Sequence, residues 1–151
     1  AIVILCGDVP LILPETVRAL YDHYRSQGAT VTVLTTQPPD PTGYGRIVTA
    51  DDGSILKIVE ERDATAEEKL IREINTGIYC VESDFLFIAA AGLGNRNAQQ
   101  EYYLTDIVER AGRNGRGTAT LLAADPMEVM GINTPEELAT ASRLMEMRDI
   151  R

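Results

Sequence analysis

Polar side chains interrupt the apolar pattern of this sequence where its strands are expected to end. Asp8 follows the apolar run 1–6, and Asn133 follows residues 128–132 and precedes the last helical segment. In open α/β sheets, ligands bind beside the carboxyl ends of the strands. Mg²⁺ is held by one or two carboxylates together with substrate phosphates. Asp8 is therefore a candidate magnesium ligand, and Asn133 a candidate second, neutral ligand of the same ion.

Three further segments carry groups that suit a sugar or a phosphate. Residues 40–45 place two glycines around a tyrosine, which lets backbone amides approach a ligand closely. Glu60, near the end of a strand, can accept hydrogen bonds from sugar hydroxyls, and residues 75–77 offer both donors and acceptors. In residues 101–106, a tyrosine can pack on a ring and a threonine can donate to a phosphate at a helix start.

Each of these features also has an ordinary structural explanation. An aspartate before proline, as at Asp8, is typical of a turn, and an asparagine beside a threonine, as at Asn133, is typical of a helix start. Glu60 is also compatible with a solvent-facing strand edge, and Asn75 with a turn. Residues 40–45 can be a surface connection, and residues 101–106 can supply packing and a helix cap. Taken one at a time, the residues leave both explanations open.

Composition limits the classes of protein that fit. A chain of 151 residues with 44% hydrophobic and 25% charged residues is typical of one soluble globular domain. The net charge of -9, without a basic stripe, argues against a nucleic-acid partner. No apolar run approaches the ~20 residues of a membrane-spanning helix. Two cysteines and one histidine exclude a Cys/His zinc cluster and favour a cytoplasmic location.

The elements that would position these groups alternate between strands and helices. The pattern predicts helices at residues 15–27, 65–73, 83–91, 105–112 and 134–148. It predicts strands at residues 1–6, 29–36, 46–50, 55–61, 75–81 and 118–123, of which the third and fourth form a hairpin. This order predicts an α/β fold with a mostly parallel sheet and one inserted hairpin.

The first strand is unusual because residues 1–6 form one continuous apolar run. Such a run is typical of a strand that is buried on both faces of a parallel sheet. Domains rarely begin with their most buried strand. We therefore expect the sheet to be incomplete at its N-terminal side, with neighbouring strands upstream of residue 1.

Together and in this order, the segments resemble the N-acetylglucosamine-1-phosphate uridyltransferase domain of the bacterial bifunctional enzyme that makes UDP-N-acetylglucosamine. The matching stretches span nearly the whole chain and are GDVPLI, DPTGYGRI, IVEERDAT, EINTGIY, NAQQEYYLTDI and GIN. DPTGYGRI and EYYLTDI are specific to this domain, whereas GDVP is shared more widely among sugar nucleotidyltransferases. The resemblance implies a nucleotidyltransferase-type, Rossmann-like fold and a Mg²⁺-dependent transfer of a uridylyl group from UTP to N-acetylglucosamine-1-phosphate.

The resemblance also implies roles for individual residues. The magnesium ligands would be Asp8 and Asn133. The N-acetylglucosamine moiety would be bound by Gly45, Glu60 and Asn75. The sugar-phosphate side would be lined by Tyr103 and Thr105.

Parts of the resembled enzyme have no counterpart in these residues. The glycine-rich loop with its Arg and Lys for the triphosphate, the uracil-binding segment and the C-terminal acetyltransferase β-helix are absent. We therefore interpret residues 1–151 as the C-terminal part of the nucleotidyltransferase domain, with any homo-oligomer formed through the absent β-helix.

The basic residues predict what this part does alone. Lys57 and Lys69 are the only lysines, so no basic cluster is available to neutralise a triphosphate. We expect the chain by itself to be inactive. Two alternatives stay open, namely a nucleotidyltransferase for another sugar phosphate or a thymidylyl donor, and a non-catalytic fragment that binds a sugar nucleotide.

Overall fold

The computed structural model describes residues 1–149 and places six strands in one open sheet, which confirms the α/β class. The strands are β1 (Ile2–Ile4), β2 (Val31–Thr36), β3 (Arg46–Thr49), β4 (Ile55–Val59), β5 (Ile74–Val81) and β6 (Thr118–Leu122). The helices are α1 (Pro14–Gln27), α2 (Ser83–Ala91), α3 (Asp106–Arg113) and α4 (Pro135–Asp149). Among the described helices, none has the length and apolar character needed to cross a membrane. Residues 150 and 151 of the expected domain lie outside the described residues.

β5 organises the sheet and creates the gap in which the candidate site lies. The strand order is β4-β3-β5-β2-β6, and β2 pairs along one edge of β5. On the other edge, β1 pairs with residues 79–81 of β5 and β3 pairs with Ile74. Neither strand pairs with residues 76–78. The end of β1 and the start of β3 therefore flank a gap beside β5.

The expectation of a mostly parallel sheet is wrong. Among the described strands, β2 and β6 are parallel, whereas β5 is antiparallel to β1, β2 and β3, and β3 is antiparallel to β4. The inserted hairpin explains the difference, because its turn reverses the chain. As a result, β4 and β5 run opposite to β2 and β3, and the chain regains its first direction only through α2 and α3.

The expectation of a helix over residues 65–73 is also wrong, since only a single 3₁₀ turn forms there, at Glu68–Leu70. None of the residues of this turn is buried. A short polar segment without an apolar face has no tertiary packing to offset the cost of helix nucleation.

Two apolar layers enclose the sheet. On one face, the valines of β2 and Tyr79 of β5 pack against α2 and α3, and on the other face Leu34, Ile78 and Cys80 pack against Leu20 of α1. β1 contacts both layers, as its apolar pattern predicts. However, Ile2–Ile4 are only half-buried, because among the described strands β1 pairs with β5 alone.

A β-bulge in β5 lies next to the gap. The pairing of β5 with β2 shifts between Val33 and Thr35. Gly77 lies in this irregular stretch with a φ of +78°, and a Cβ at this position would lie 2.5 Å from Sγ of Cys6. Bulges of this kind are common beside active sites, where they redirect side chains.

The Gly77→Ala substitution is expected to lower the free energy of unfolding by about 1–3 kcal/mol, because it adds steric overlap to an unfavourable backbone conformation. Urea denaturation would measure the loss. Gly53→Ala is the matched control, since Gly53 has a φ of +84° but no atom of the described chain within 4 Å of its Cβ position. Adding Cys6→Ala to Gly77→Ala should recover the steric part. Equal losses at Gly77 and Gly53 would contradict this account.

Candidate functional site

A cleft of about 520 Å³ opens at the gap between β1 and β3. Five separate parts of the chain line it: the segment after β1, the loop before β3, the residue after β4, the first residues of β5, and the segment from Val129 to Glu137. The structure thus brings together five of the seven candidate residues, namely Asp8, Gly45, Glu60, Asn75 and Asn133.

Asp8 and Asn133 both lie next to Gly131 in the lining of the cleft. The position that a Cβ of Gly131 would occupy is 3.3 Å from Oδ2 of Asp8 and 3.7 Å from Nδ2 of Asn133. The Ile132 amide donates to the Asp8 carbonyl oxygen at 2.9 Å, which ties the two segments together. The stretch GIN predicted a role for Asn133 but none for Gly131, whose lack of a side chain leaves space beside the two polar groups.

The two side chains have the chemistry of a magnesium site. Both are exposed, and no hydrogen bond or ion pair within residues 1–149 engages the Asp8 carboxylate. Rotation of the Asn133 amide exchanges its nitrogen with its oxygen, so that two oxygen ligands can face the same point. Among the described residues, no three His, Cys, Asp or Glu side chains converge. Substrate oxygens or water would therefore have to complete the coordination.

The start of α4 fixes the backbone at Asn133. Oε2 of Glu137 accepts hydrogen bonds from the amides of Asn133 at 2.7 Å and Thr134 at 2.9 Å. Oγ1 of Thr134 accepts in return from the Glu137 amide, which confirms the predicted capping box. These backbone donors hold the pKa of Glu137 below its usual value. The cap uses the backbone amide of Asn133, whereas its side-chain Nδ2 makes a long hydrogen bond of 3.5 Å to the Gly131 carbonyl oxygen, which a rotation of the amide would break.

Gly45, Glu60 and Asn75 form a second group of neighbouring residues in the lining of the cleft. A Cβ on Gly45 would lie 3.3 Å from both carboxylate oxygens of Glu60 and 3.0 Å from Cγ2 of Ile58. The Asn75 amide donates to the Gly45 carbonyl oxygen at 2.8 Å, and Oδ1 of Asn75 accepts from the Gly77 amide at 3.0 Å. Glycine at position 45 therefore lets the carboxylate approach the strand closely.

Glu60 is not a solvent-facing edge residue. Its side chain is partly buried, and its Oε1 accepts a hydrogen bond from Oγ1 of Thr105 at 3.2 Å. Burial raises the pKa of Glu60, and the charges of Asp63 and Asp106 raise it further, whereas the Thr105 hydroxyl opposes the shift.

Tyr103 and Thr105 lie outside the cleft. Tyr103 and Glu60 line a neighbouring cavity of about 560 Å³, and the hydroxyl of Tyr103 accepts from Nε2 of Gln99 at 2.8 Å. Thr105 is 6% exposed and lines neither cavity. It also makes no side-chain cap of α3, so the cap explanation for this threonine is wrong. The structure places Thr105 behind Glu60.

A buried ion pair, which the sequence analysis missed, supports the loop before β3. Arg46 is 2% exposed, and its Nη2 lies 2.7 Å from Oε2 of Glu61. Arg46 also donates to the Tyr44 carbonyl oxygen, and Glu61 accepts from the Gly43 amide at 3.3 Å. An arginine within an apolar strand was the available signal. The pair joins the residue after Gly45 to the residue after Glu60.

The lining of the cleft is acidic. Asp8, Glu60 and Glu137 contribute three carboxylates, and no Lys or Arg lines the cleft within the described part of the chain. Tyr44 is affected by this environment, since burial raises the pKa of its hydroxyl and the charges of Glu137 and Asp8 raise it further. The negative charge of a polyanionic ligand would therefore have to be neutralised by a metal ion or by other protein segments.

Comparison with known proteins places these features in a family. The model of the family described as nucleotidyl transferase matches residues 1–127. The chain belongs to the nucleotidyl transferase family. Within this family it is 53% identical over 147 residues to the bifunctional protein GlmU of Geobacter metallireducens and 48% identical to that of Desulfotalea psychrophila. Both matches cover 97% of this chain, but only 31% and 43% of those relatives.

Solved structures show the nucleotidyl transferase fold. CMP:2-keto-3-deoxy-manno-octonic acid synthetase complexed with CTP superimposes with a TM-score of 0.65 and 20% identity, over 97% of this chain and 61% of that one. A glucose-1-phosphate thymidylyltransferase from Bacillus anthracis, in complex with sucrose, gives 0.59 and 21%, over 85% and 48% of the chains. These likenesses confirm the predicted nucleotidyltransferase-type fold.

Proposed function

We propose that this chain forms the sugar and metal side of an enzyme that transfers a uridylyl group from UTP to N-acetylglucosamine-1-phosphate. The products are UDP-N-acetylglucosamine and pyrophosphate. The observation that carries the proposal is that one cleft contains two groups of residues, Asp8 and Asn133 beside Gly131, and Glu60 and Asn75 beside Gly45. Identity of 53% to a GlmU protein over nearly the whole chain supports the choice of reaction.

The reaction needs positioning more than acid–base chemistry. A phosphate oxygen of the sugar-1-phosphate attacks the α-phosphorus of UTP, and the bond from that phosphorus to the bridging oxygen of pyrophosphate breaks. The attacking oxygen is already anionic, so no general base is required. The difficulty lies in bringing anions together in line.

The residues of this chain address that difficulty in two ways. Asp8 and Asn133 would hold Mg²⁺, which when bound offsets the negative charge of the phosphates. Glu60 and Asn75 would accept and donate hydrogen bonds to the sugar and fix its orientation. Gly45 would leave room for the Glu60 carboxylate itself, so that this group can lie close to β3 within the cleft.

The acidic lining supports a further part of the proposal, that the isolated chain does not turn over UTP. The same observation favours a second candidate function, a fragment that binds a sugar nucleotide without catalysis. The two candidate functions predict different results when neighbouring protein segments supply positive charge. The transferase should then turn over UTP, whereas the binding fragment should not.

A chimera tests the proposal directly. The matched 147-residue segment of the Geobacter metallireducens relative would be replaced by the corresponding residues of this chain, and pyrophosphate release from UTP and N-acetylglucosamine-1-phosphate would be measured. We expect an active chimera and an inactive isolated chain. A folded but inactive chimera would contradict the proposed reaction and favour the binding fragment. Preference for glucose-1-phosphate or for a thymidylyl donor in the same assay would identify a different nucleotidyltransferase.

A further inference from the structure

We propose that Thr105 is a positioning residue that holds the Glu60 carboxylate for the sugar and does not contact the substrate itself. The inference rests on the proposed function for the identity of the ligand. It differs from the role implied by the sequence resemblance, in which Thr105 lines the sugar-phosphate side.

The hydroxyl of Thr105 makes one hydrogen bond within the described part of the chain. It donates to Oε1 of Glu60 at 3.2 Å, across 45 residues of sequence. Thr105 occupies the N-cap position of α3, but its backbone is helical and its side chain forms no cap hydrogen bond. It is 6% exposed and lines neither cavity, whereas its partner Glu60 lines both.

The Glu60 carboxylate lies next to Gly45 and Thr105. Gly45 lies beneath it, with both oxygens 3.3 Å from the glycine's Cβ position. The Thr105 hydroxyl donates a hydrogen bond to Oε1, and no hydrogen bond from the described residues engages Oε2. Because Glu60 lines both the cleft and the neighbouring cavity, the unengaged oxygen is available to a sugar hydroxyl or amide.

Burial and neighbouring carboxylates disfavour the ionised form of Glu60, whereas the hydrogen bond from the Thr105 hydroxyl favours it. Asp63 and Asp106 face it as carboxylates and, after burial, are the groups that raise its pKa. The hydroxyls of Tyr79 and Tyr103 are near enough to feel its charge. Three of the four basic side chains that line the neighbouring cavity have other partners, since Lys57 pairs with Glu68, Arg113 with Glu109, and Arg110 donates to backbone carbonyls. Arg96 also lines that cavity, and Asp8 and Glu137 line the cleft.

Loss of the Thr105 hydroxyl should therefore act through Glu60. A carboxylate must be ionised to accept hydrogen bonds at both oxygens, so sugar binding fails as pH falls through the Glu60 pKa. Thr105→Val removes the group that favours the ionised form, which raises this pKa and moves the loss of binding to higher pH. Thr105→Ser retains the hydroxyl and should restore the wild-type profile.

The test uses the 151-residue chain and free N-acetylglucosamine, which has no group that titrates in this range. NMR titrations between about pH 4 and pH 8 would give the sugar affinity, and the ¹³C shift of the Glu60 carboxyl would give its titration without ligand. For Thr105→Val we expect a Glu60 titration at higher pH and, near neutral pH, a dissociation constant about tenfold larger. Glu60→Gln should bind weakly at every pH.

The outcomes distinguish failure of the positioning role of Thr105 from failure of the proposed function. If the wild-type chain binds the sugar, but Thr105→Val leaves the Glu60 titration unchanged or Thr105→Ser behaves like Thr105→Val, the positioning role is overturned. If the Glu60 titration shifts as expected but the wild-type chain does not bind the sugar, the proposed function is contradicted, and with it the role of Thr105 in substrate binding.

Discussion

Asp8→Asn in the chimera is expected to reduce uridylyl transfer by at least about 10²-fold, measured as pyrophosphate release at saturating UTP. The substitution keeps the shape of the side chain and removes its negative charge. Substitution of groups that only support metal ligands commonly lowers activity 10–100-fold, so loss of Asp8, the only carboxylate of the proposed ligand pair, should cost more. Near-wild-type turnover would refute a metal-binding role for Asp8.

Two further variants make this test specific. Asp22→Asn, on the exposed surface of α1, removes an equal charge outside the cleft and should leave turnover unchanged. Asp8→Asn combined with Asn133→Asp exchanges the carboxylate and the amide across Gly131. Because both side chains lie within 4 Å of the same point, this exchange should recover part of the lost activity. No recovery would indicate that the two residues do not share a ligand.

Arg46→Ala is expected to lower the free energy of unfolding by about 2–5 kcal/mol. The substitution leaves a cavity where a side chain of 2% exposure was, and it removes the hydrogen bonds to Glu61 and to the Tyr44 carbonyl oxygen. We also expect faster hydrogen exchange in residues 42–45, because Glu61 and Arg46 hold that loop. Urea denaturation and amide exchange of the isolated chain measure both effects.

The control for Arg46 is Arg18→Ala, since Arg18 is exposed on α1. Its loss should change the free energy of unfolding by no more than about 0.5 kcal/mol. A similar result for Arg46→Ala would mean that the buried ion pair contributes little to stability. Arg46→Met retains most of the volume, so its difference from Arg46→Ala separates packing from hydrogen bonding.

Local signals in the sequence predicted most of the elements. The 3.6-residue apolar period and Gly28 located α1, which ends with Gly28 in the left-handed conformation at a φ of 59°. The pattern from Thr134 to Glu137 predicted the cap of α4, because all of its hydrogen bonds join residues within one turn. The turn at residues 51–54 predicted the hairpin of β3 and β4 for the same reason.

Features that depend on residues far apart in the sequence were harder to predict. Strand direction depends on how the hairpin joins the sheet, which no local pattern encodes, and so the sheet was expected to be mostly parallel. The threonine at 105 matched a helix cap by its position, yet its partner is Glu60, 45 residues away. The motifs identified five residues that line one cleft, but they did not distinguish a residue facing the ligand from one behind it. That distinction required the burial of each side chain.

The most direct test of the account uses Mn²⁺ as a paramagnetic substitute for Mg²⁺. The ion would be added to the isotopically labelled 151-residue chain in the presence of N-acetylglucosamine-1-phosphate, and the broadening of each backbone amide signal would be recorded. If Asp8 and Asn133 hold one ion, we expect selective broadening at Asp8 and at residues 131–133, and its loss in Asp8→Asn. Broadening centred elsewhere, or at Asp8 without residues 131–133, would contradict it.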